Sequence, residues 1–201
     1  MSWILENKAR ITLVIGGCRS GKSRFALDAA DQICGDRVKA DPARGGRKIF
    51  LATSVPSDSE MDKRVARHQT ERGEDWQTIE EPIMIHETIE RASKTADVIL
   101  VDCLTLWTSN LLFAEYDESR IMEATALLAA ALGKSLCPVL LVANEVGYGI
   151  VPDNSLARQF RDIAGLVNQK IAAIAGRVIL TVAGIGVSIK PLEKFNPINK
   201  L

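Results

Sequence analysis

The feature that most limits what this chain can fold into is the glycine-rich segment GGCRSGKS at residues 16–23. It directly follows the β-branched run ITLVI of residues 11–15 and directly precedes a segment with helical apolar periodicity. The pattern G-x-x-x-x-G-K-[S/T] between a strand and a helix is typical of a phosphate-binding loop. Its glycines let backbone N–H groups turn toward phosphate oxygens at the start of a helix. The sequence therefore predicts a loop that binds a nucleoside triphosphate.

Two side chains of this loop are expected to act on the phosphates and their metal ion. Lys22 should contact the β- and γ-phosphates, and Ser23 should supply a hydroxyl to Mg²⁺. Asp102 ends the apolar run VILVD of residues 98–102, a position from which a carboxylate can reach the same ion. We therefore expect Mg²⁺ as the cofactor, held by Ser23 and Asp102. The residues of the predicted loop are Gly16, Gly17, Cys18, Arg19, Ser20, Gly21, Lys22 and Ser23.

Short apolar runs alternate with helical segments along the chain, which predicts an α/β fold with a mostly parallel sheet and helices on both faces. The first helix is predicted to end at residue 33, and the charged segment 34–48 is predicted to be an exposed loop. We expect a single P-loop domain over residues 1–201, with its core at about residues 11–190. Further strands are predicted at residues 49–53, 98–102, 139–143 and 178–182, with an extended piece at 76–80 and helices at 59–72, 83–94, 121–132 and 154–175.

Composition argues against several functional classes. The 25 Lys and Arg residues are balanced by 25 Asp and Glu, so the whole chain offers no field that would attract a polyanion. The apolar runs are shorter than the roughly 20 residues that span a bilayer, and the charged N-terminus does not resemble a signal peptide. The four cysteines lack the spacing of a zinc site and are expected to be reduced thiols. We expect a cytoplasmic protein with no nucleic-acid partner and no membrane span.

Residues at the ends of other predicted strands are further candidates for the site. In open α/β sheets, ligands bind beyond the carboxyl ends of the strands, so these ends should meet near the phosphate loop. Thr53 and Ser54 follow one such strand, and Asn144 and Glu145 follow another. The pair at 144–145 is equally consistent with an ordinary turn between a strand and a helix.

His68 stands out because it is one of only two histidines and has arginines near it. On a helix, Arg64 and Arg72 would lie on the same face as His68, four residues to either side. Their guanidiniums would bind phosphate and favour the neutral, nucleophilic form of the ring. The alternative is that His68 only borders the core. The second histidine, His86, is expected to be structural.

Taken in order, these segments resemble the bifunctional adenosylcobinamide kinase/adenosylcobinamide-phosphate guanylyltransferase family of cobalamin biosynthesis. The resemblance covers about residues 11–190 and implies a RecA-type, three-layer P-loop fold and a homotrimer. Segment 34–48 is longer and more charged than this family leads us to expect. The segments that carry the resemblance are GGCRSGKS (16–23), ATS (52–54), RVARHQTER (64–72), WQTIEEP (76–82), VDCLT (101–105), NEVGYGIVP (144–152), NSLAR (154–158) and FRDIAG (160–165).

The resemblance implies two reactions. One phosphorylates the aminopropanol hydroxyl of adenosylcobinamide with ATP or GTP. The other transfers GMP from GTP to adenosylcobinamide phosphate, giving adenosylcobinamide-GDP, through a GMP–histidine intermediate that matches His68. Beyond the phosphate loop, the residues that match GTP-binding positions of the family are Ala52, Thr53, Ser54, Gln69, Thr70, Glu71, Arg72, Glu80 and Asp102.

Two other functions remain as alternatives. A monofunctional small-molecule kinase would have the same fold, with His68 only binding phosphate. A nucleotide-dependent switch or a nucleic-acid-binding protein belongs to another class. The sequence lacks the N-K-x-D motif that reads guanine in switch proteins, and its balanced charge argues against nucleic acid.

Overall fold

The computed structural model describes residues 10–54 and 75–191. Seven strands form one sheet in these ranges: β1 (Ile11–Gly16), β2 (Lys48–Ala52), β3 (Trp76–Glu80), β4 (Val98–Asp102), β5 (Val139–Asn144), β6 (Arg177–Val182) and β7 (Ile185–Lys190). The helices are α1 (Lys22–Ala40), α2 (Ile85–Ala92), α3 (Leu104–Phe113), α4 (Glu118–Lys134) and α5 (Ser155–Ile174).

The strands follow the order β3-β2-β4-β5-β1-β6-β7 across the sheet. All neighbouring pairs are parallel except β6 and β7, which are antiparallel. β1 therefore lies inside the sheet, and its last residue, Gly16, pairs with Asn144 of β5 and Thr181 of β6. On the other side of β5, Ala52 pairs with both Asp102 and Glu80. The carboxyl ends of the parallel strands thus share one edge of the sheet.

Helices cover both faces of the sheet. Because side chains alternate along a strand, Leu13 and Ile15 of β1 face one layer and Val14 faces the other. α1 packs on the Val14 side, and α2 to α5 contribute to the core on the opposite side. The predicted three-layer α/β architecture is therefore confirmed. Within the described ranges, no helix is long and apolar enough to cross a membrane.

α1 is longer than the sequence pattern predicts. It continues past residue 33 to Ala40, and Cys34 is buried in the core. Glycine and charged residues after Cys34 suggested a loop, but Cys34 extends the apolar stripe of the helix at a spacing of four residues from Ala30. Arg37 and Lys39 lie in the last turn, where positive charge favours a helix end. The predicted exposed loop at 34–48 is therefore wrong for its first half.

The remaining connection, residues 41–47, is held to the body of the protein by Asp97. This aspartate is buried, and its Oδ2 accepts a hydrogen bond from the backbone N–H of Arg47 at 3.0 Å. Its Oδ1 accepts one from Nη1 of Arg44 at 3.2 Å. A buried carboxylate needs such partners because an unpaired charge in the interior is costly. The connection is exposed but anchored.

Two elements were not predicted at all. α3 is apolar around most of its circumference, so it shows no amphipathic period, and it buries Trp107 and Leu111. β7 follows β6 through a two-residue turn, Ala183 and Gly184, with positive φ at both positions, as hairpin turns prefer. The predicted helix at residues 59–72 lies outside the described residues.

Candidate nucleotide-binding site

The loop between β1 and α1 has a backbone conformation that favours glycine at its two ends. Gly21 has a φ of 93°, in a region that residues with side chains rarely adopt. At Gly16, with a φ of 155°, an added Cβ would come within 2.5 Å of the backbone oxygen of Thr181. The first and last glycines of the motif are therefore required by the fold of the loop.

The β6–β7 hairpin supports this loop. The hydroxyls of Ser20 and Thr181 are hydrogen-bonded at 2.7 Å, in a buried position. The backbone N–H of Gly184 donates to the carbonyl of Ser20 at 2.9 Å. A Cβ on Gly21 would lie 2.9 Å from the Cα of Gly184, so the two backbones approach closely. Thr181 lies in the strand predicted at residues 178–182, but β7 and the turn before it were not predicted, so this support was not expected.

The start of α1 differs chemically from the starts of three other helices. α3, α4 and α5 each begin after a residue whose side chain accepts a backbone N–H, namely Cys103, Asp117 and Asn154. α1 begins after Gly21, which has no side chain, and its first turn carries no acidic residue. Helix starts leave N–H groups without partners inside the helix. Those of α1 are therefore suited to bind an anion such as a phosphate.

Lys22 brings a positive charge into this loop from a largely buried position. Only 7% of the residue is exposed, and its Nζ donates a hydrogen bond of 2.6 Å to the carbonyl of Gly17. Burial lowers the pKa of Lys22, whereas negative charge on Cys103 or Asp102 acts in the opposite direction. Burial also raises the pKa of Cys103 to about 12, so its thiol is neutral near pH 7. Of Cys103 and Asp102, Asp102 is therefore the one whose negative charge favours the charged form of Lys22.

Thr53 fastens the end of β2 to the end of β4, beside Asp102. Its hydroxyl donates to the carbonyl of Cys103 at 2.8 Å and accepts from the N–H of Cys103 at 2.7 Å. Its own N–H donates to the carbonyl of Asp102 at 3.2 Å, and its carbonyl accepts from Asn110 at 2.7 Å. Thr53 is fully buried, so its observed polar contacts position the Asp102 backbone. Ala52 and Ser54 flank it at the same edge.

The turn after β5 lies directly against the phosphate loop. The backbone N–H of Glu145 donates to the carbonyl of Gly16 at 3.0 Å. Thr105 accepts from the N–H of Asn144 at 2.7 Å. The side-chain amide of Asn168, on α5, donates to the carbonyl of Asn144 and to Oε1 of Glu145, each at 3.2 Å. Residues 144 and 145 therefore begin a turn between β5 and α5 that contacts the phosphate loop, and their role in the site stays a prediction.

Asn168 was missed by the sequence analysis, although the sequence carries a signal for it. It lies in α5 next to Val167 and four residues after Ala164, both of which are buried. A polar residue on the inward side of an amphipathic helix requires a hydrogen-bonding partner. Here the partners are the two residues that follow β5.

The other predicted site residues are not all brought to the phosphate loop. Glu80 is exposed at the end of β3, four strands from β1, which is roughly 19 Å at a strand spacing of about 4.8 Å. Glu80 therefore lies at the same edge of the sheet as the phosphate loop, but far from Lys22. Six residues that the sequence analysis named lie outside the described residues: Arg64, His68, Gln69, Thr70, Glu71 and Arg72.

The residues at the loop suit a Mg²⁺ ion that arrives with a nucleotide. Ser23, in the first turn of α1, and Asp102, at the end of β4, offer the oxygen donors that this ion prefers. In the two described ranges, no group of three or more His, Cys, Asp or Glu residues forms a metal site. Mg²⁺ commonly binds through one or two protein oxygens, phosphates and water, so this donor set is sufficient.

Comparison with known proteins gives consistent matches over most of the chain. The family model described as "Cobinamide kinase / cobinamide phosphate guanyltransferase" matches residues 12–189. A bifunctional adenosylcobalamin biosynthesis protein CobP from Pseudomonas aeruginosa is 38% identical over 178 residues, which is 89% of this chain and 96% of that protein. Bifunctional adenosylcobalamin biosynthesis proteins CobU from Escherichia coli and Salmonella typhimurium are each 41% identical over 190 residues, covering 89% of this chain and 98% of each relative.

Proposed function

The chain belongs to the cobinamide kinase/cobinamide phosphate guanyltransferase family, and we propose that it catalyses both reactions which that description names. It would phosphorylate adenosylcobinamide with ATP or GTP, and then transfer GMP from GTP to adenosylcobinamide phosphate. The observation that carries this proposal is the family match over residues 12–189, which includes the complete phosphate loop. The names of the curated relatives, bifunctional proteins of adenosylcobalamin biosynthesis, support the same reactions.

In the kinase reaction, the loop would hold the triphosphate for attack at its γ-phosphorus. The N–H groups at the start of α1 and the ammonium of Lys22 would bind the phosphate oxygens. Lys22 has three donors and uses one on Gly17, so it can turn toward a phosphate without leaving the loop. Ser23 and Asp102 would hold Mg²⁺, which supplies positive charge against the phosphate oxygens when it is bound.

In the guanylyl transfer, the same loop would hold the β- and γ-phosphates while the α-phosphorus reacts. We assign the nucleophile to His68. Its neutral ring nitrogen would form a bond to the α-phosphorus as the bond to the β-phosphate oxygen breaks and pyrophosphate leaves. A phosphate oxygen of adenosylcobinamide phosphate would then attack the same phosphorus and release the histidine. The support for His68 is the resemblance of the segment RVARHQTER (64–72) to the family's histidine segment, together with its setting between Arg64 and Arg72.

The remaining nucleotide contacts are assigned to the other half of the carboxyl edge. β2 and β3 end there with Ala52 and Glu80, which pair with each other in the sheet. An extended nucleotide whose phosphates occupy the loop would direct its nucleoside along this edge. The residues that we propose for these contacts are Ala52, Thr53, Ser54, Gln69, Thr70, Glu71, Arg72, Glu80 and Asp102.

We also propose that the protein acts as a homotrimer. The supporting observation is a row of exposed apolar side chains on the edge strand β7. Ile185 is 67% exposed, and Val187 and Ile189 follow it on the same side of the strand. A contiguous exposed apolar surface on an edge strand is a common mark of a protein–protein interface.

A coupled assay tests the proposed function. Purified protein is incubated with adenosylcobinamide, Mg²⁺ and either ATP or GTP, and the corrinoid products are separated by chromatography. We expect adenosylcobinamide phosphate with a nucleoside triphosphate, and adenosylcobinamide-GDP only when GTP is present. Formation of the phosphate but never of the GDP derivative would identify a monofunctional kinase. Turnover of neither corrinoid would contradict the proposal.

A further inference from the structure

We propose that Glu145 accepts the proton of the acceptor hydroxyl in the kinase reaction, and that Asn168 orients its carboxylate for this role. Transfer of a phosphoryl group to an alcohol requires that the hydroxyl proton leave, and a nearby carboxylate is a suitable acceptor. Because this role rests on the proposed kinase function, the test below measures the two reactions separately.

The position of Glu145 in the sheet is the first reason for this assignment. It follows β5, which lies between β1 with its phosphate loop and β4 with Asp102. Its backbone N–H is hydrogen-bonded to Gly16, the first residue of the loop, at 3.0 Å. Glu145 therefore follows the strand next to β1, about 4.8 Å away in the sheet direction, whereas Asp102 ends a strand two positions from β1.

The other acidic side chains that follow strands at this edge have different surroundings. Glu81 uses Oε1 to accept the N–H groups of Ile83 and Met84, so it fixes the turn before α2. Glu80 lies at the far side of the sheet, on β3. Asp102 favours the charged form of Lys22 and is the carboxylate placed to hold Mg²⁺. Among these four acidic residues, Glu145 is the one next to the loop without an assigned task.

The carboxylate of Glu145 is oriented from outside its own turn. Asn168 donates from one amide nitrogen to Oε1 of Glu145 and to the carbonyl of Asn144, each at 3.2 Å. The Asn168 amide nitrogen thus ties the Glu145 carboxylate to the backbone of the preceding residue, Asn144. The position of this amide is fixed because Asn168 belongs to α5. Glu145 and Asn168 are both half-buried. We assign the second carboxylate oxygen, Oε2, to the acceptor hydroxyl.

The approach to Glu145 is open on the side that follows it in the chain. Tyr148 and Ile150 are 79% and 97% exposed. An added Cβ on Gly147 or Gly149 would meet no atom of the described residues within 4 Å. Within residues 10–54 and 75–191, these positions therefore leave this side of the turn open to an incoming alcohol.

The chemistry separates the two reactions. In the kinase step, the alcohol oxygen bonds to the γ-phosphorus, the bond to the β-phosphate oxygen breaks, and the hydroxyl proton passes to Oε2 and later to water. In the guanylyl transfer, the attacking group is a phosphate monoester, whose second pKa is about 6, so it is already deprotonated near pH 7. Loss of the base should therefore slow only the first reaction.

The test compares Glu145→Gln with the wild type in two assays, one starting from adenosylcobinamide and one from supplied adenosylcobinamide phosphate. We expect kcat of the kinase step to fall by about 10²–10⁴-fold, as for loss of a general base. Guanylyl transfer should stay within about twofold, and the acidic limb of the kinase pH profile should disappear. Glu123→Gln, an exposed glutamate on α4, is the matched control and should change neither rate.

Asn168→Asp tests the orientation separately. An ionised aspartate cannot donate the hydrogen bond that holds Oε1 of Glu145, so kcat of the kinase step should fall with little change in KM, while guanylyl transfer persists. GTP affinity and melting temperature check that each variant is folded. Three results would overturn the assignment: wild-type kinase rates in Glu145→Gln, equal losses in both reactions, or an unchanged kinase kcat in Asn168→Asp. A wild type without kinase activity would instead contradict the proposed function itself.

Discussion

At the scale of single residues, Lys22 is the group on which both proposed reactions depend. It is buried in the loop, hydrogen-bonded to Gly17 and close enough to Asp102 for their charges to interact. Burial makes the charged form of Lys22 harder to maintain, which is why its pKa is lowered. A bound triphosphate would add negative charge beside the ammonium and so favour the charged form. The site is therefore electrostatically more favourable with its ligand than without it.

Lys22→Ala should impair both activities, because the same contact is used by the γ-phosphate in one reaction and by the leaving pyrophosphate in the other. A hydrogen bond to a charged group contributes about 1.5–3 kcal/mol, so kcat/KM should fall roughly ten- to hundredfold or more in each assay. Lys134→Ala, at the exposed end of α4, is the control. If the kinase and guanylyl-transfer rates of Lys22→Ala equal those of the wild type, the two reactions do not share this loop.

The four cysteines offer a chemical probe of the loop. Cys18 is exposed, whereas Cys34, Cys103 and Cys137 are buried and burial raises the pKa of each of their thiols. Since the thiolate is the reactive form, iodoacetamide at pH 8 should modify Cys18 in the folded protein and the other three only after unfolding. Saturating GTP with Mg²⁺ should slow the reaction of Cys18, as followed by peptide mass spectrometry. If Cys18 is modified at the same rate with and without nucleotide, the phosphates do not bind at this loop.

At the scale of elements, the phosphate loop depends on a hairpin that comes more than 150 residues later. Ser20 and Thr181 are separated by 161 residues in the chain, yet their hydroxyls are 2.7 Å apart. Thr181 also donates to the carbonyl of Ile15 at 3.2 Å. The loop is thus held by β1 before it, α1 after it and β6 beside it. This third contact should stabilise the loop in the absence of nucleotide.

Thr181→Val should weaken that support without leaving a cavity, because valine has a similar shape. Ser20 would lose its buried partner, which costs about 1–3 kcal/mol in the free energy of unfolding, and GTP binding should weaken. In Ser20→Ala combined with Thr181→Val, both hydroxyls are absent, so the loss should be smaller than the sum of the single losses. Urea unfolding and calorimetric titration with GTP measure the two effects. Strictly additive losses would mean that the hydroxyls act independently.

Most of the sheet could be predicted from the sequence, because strands buried on both faces read as continuous apolar runs. VLLVA within β5 and VILVD of β4 are of this kind. α3 could not be predicted from its period, since its residues are apolar on nearly every side. β7 buries none of its six residues and exposes its apolar side chains, so it lacks the apolar inward face of a typical strand. The end of α1 was missed because Gly35 and the charges after it resemble a loop.

The candidate site, like the fold, could be predicted from the sequence only in part. The phosphate loop and Asp102 are local signals, each contained in eight residues or fewer. The contacts of Ser20 with Thr181 and of Glu145 with Asn168 join distant parts of the chain, and only the fold brings them together. Six residues that the sequence analysis named lie outside the described residues, so their assignments stay predictions.

At the scale of the whole molecule, the apolar row on β7 predicts how copies of the chain associate. Val187→Asp should disrupt the proposed trimer, because it places a charge in the centre of this surface. Analytical ultracentrifugation should then give the mass of one or two chains instead of three. Leu136→Asp changes an apolar residue away from β7 that is 63% exposed, against 49% for Val187, and should leave the trimer intact. A wild type that sediments as a monomer at micromolar concentration would contradict the trimer.

The two reactions require opposite ends of the triphosphate to react over the same loop. A loop that binds phosphate oxygens through backbone N–H groups and one lysine does not depend on which phosphorus is attacked. In the proposed scheme the nucleophile would make this choice, with an alcohol attacking the γ-phosphorus and His68 attacking the α-phosphorus. The covalent intermediate at His68 is therefore the central claim, since it separates a bifunctional enzyme from a kinase.

The most direct test is to incubate the wild type and His68→Ala with GTP and Mg²⁺ and to locate any added GMP by peptide mass spectrometry. The account predicts one guanylyl group on the wild-type peptide that contains His68, in a bond that is labile to acid and stable to alkali. His68→Ala should carry no GMP and form no adenosylcobinamide-GDP, while it still phosphorylates adenosylcobinamide, because an alcohol needs no protein nucleophile to reach the γ-phosphorus. GMP found on a lysine, or full guanylyl transfer by His68→Ala, would contradict it.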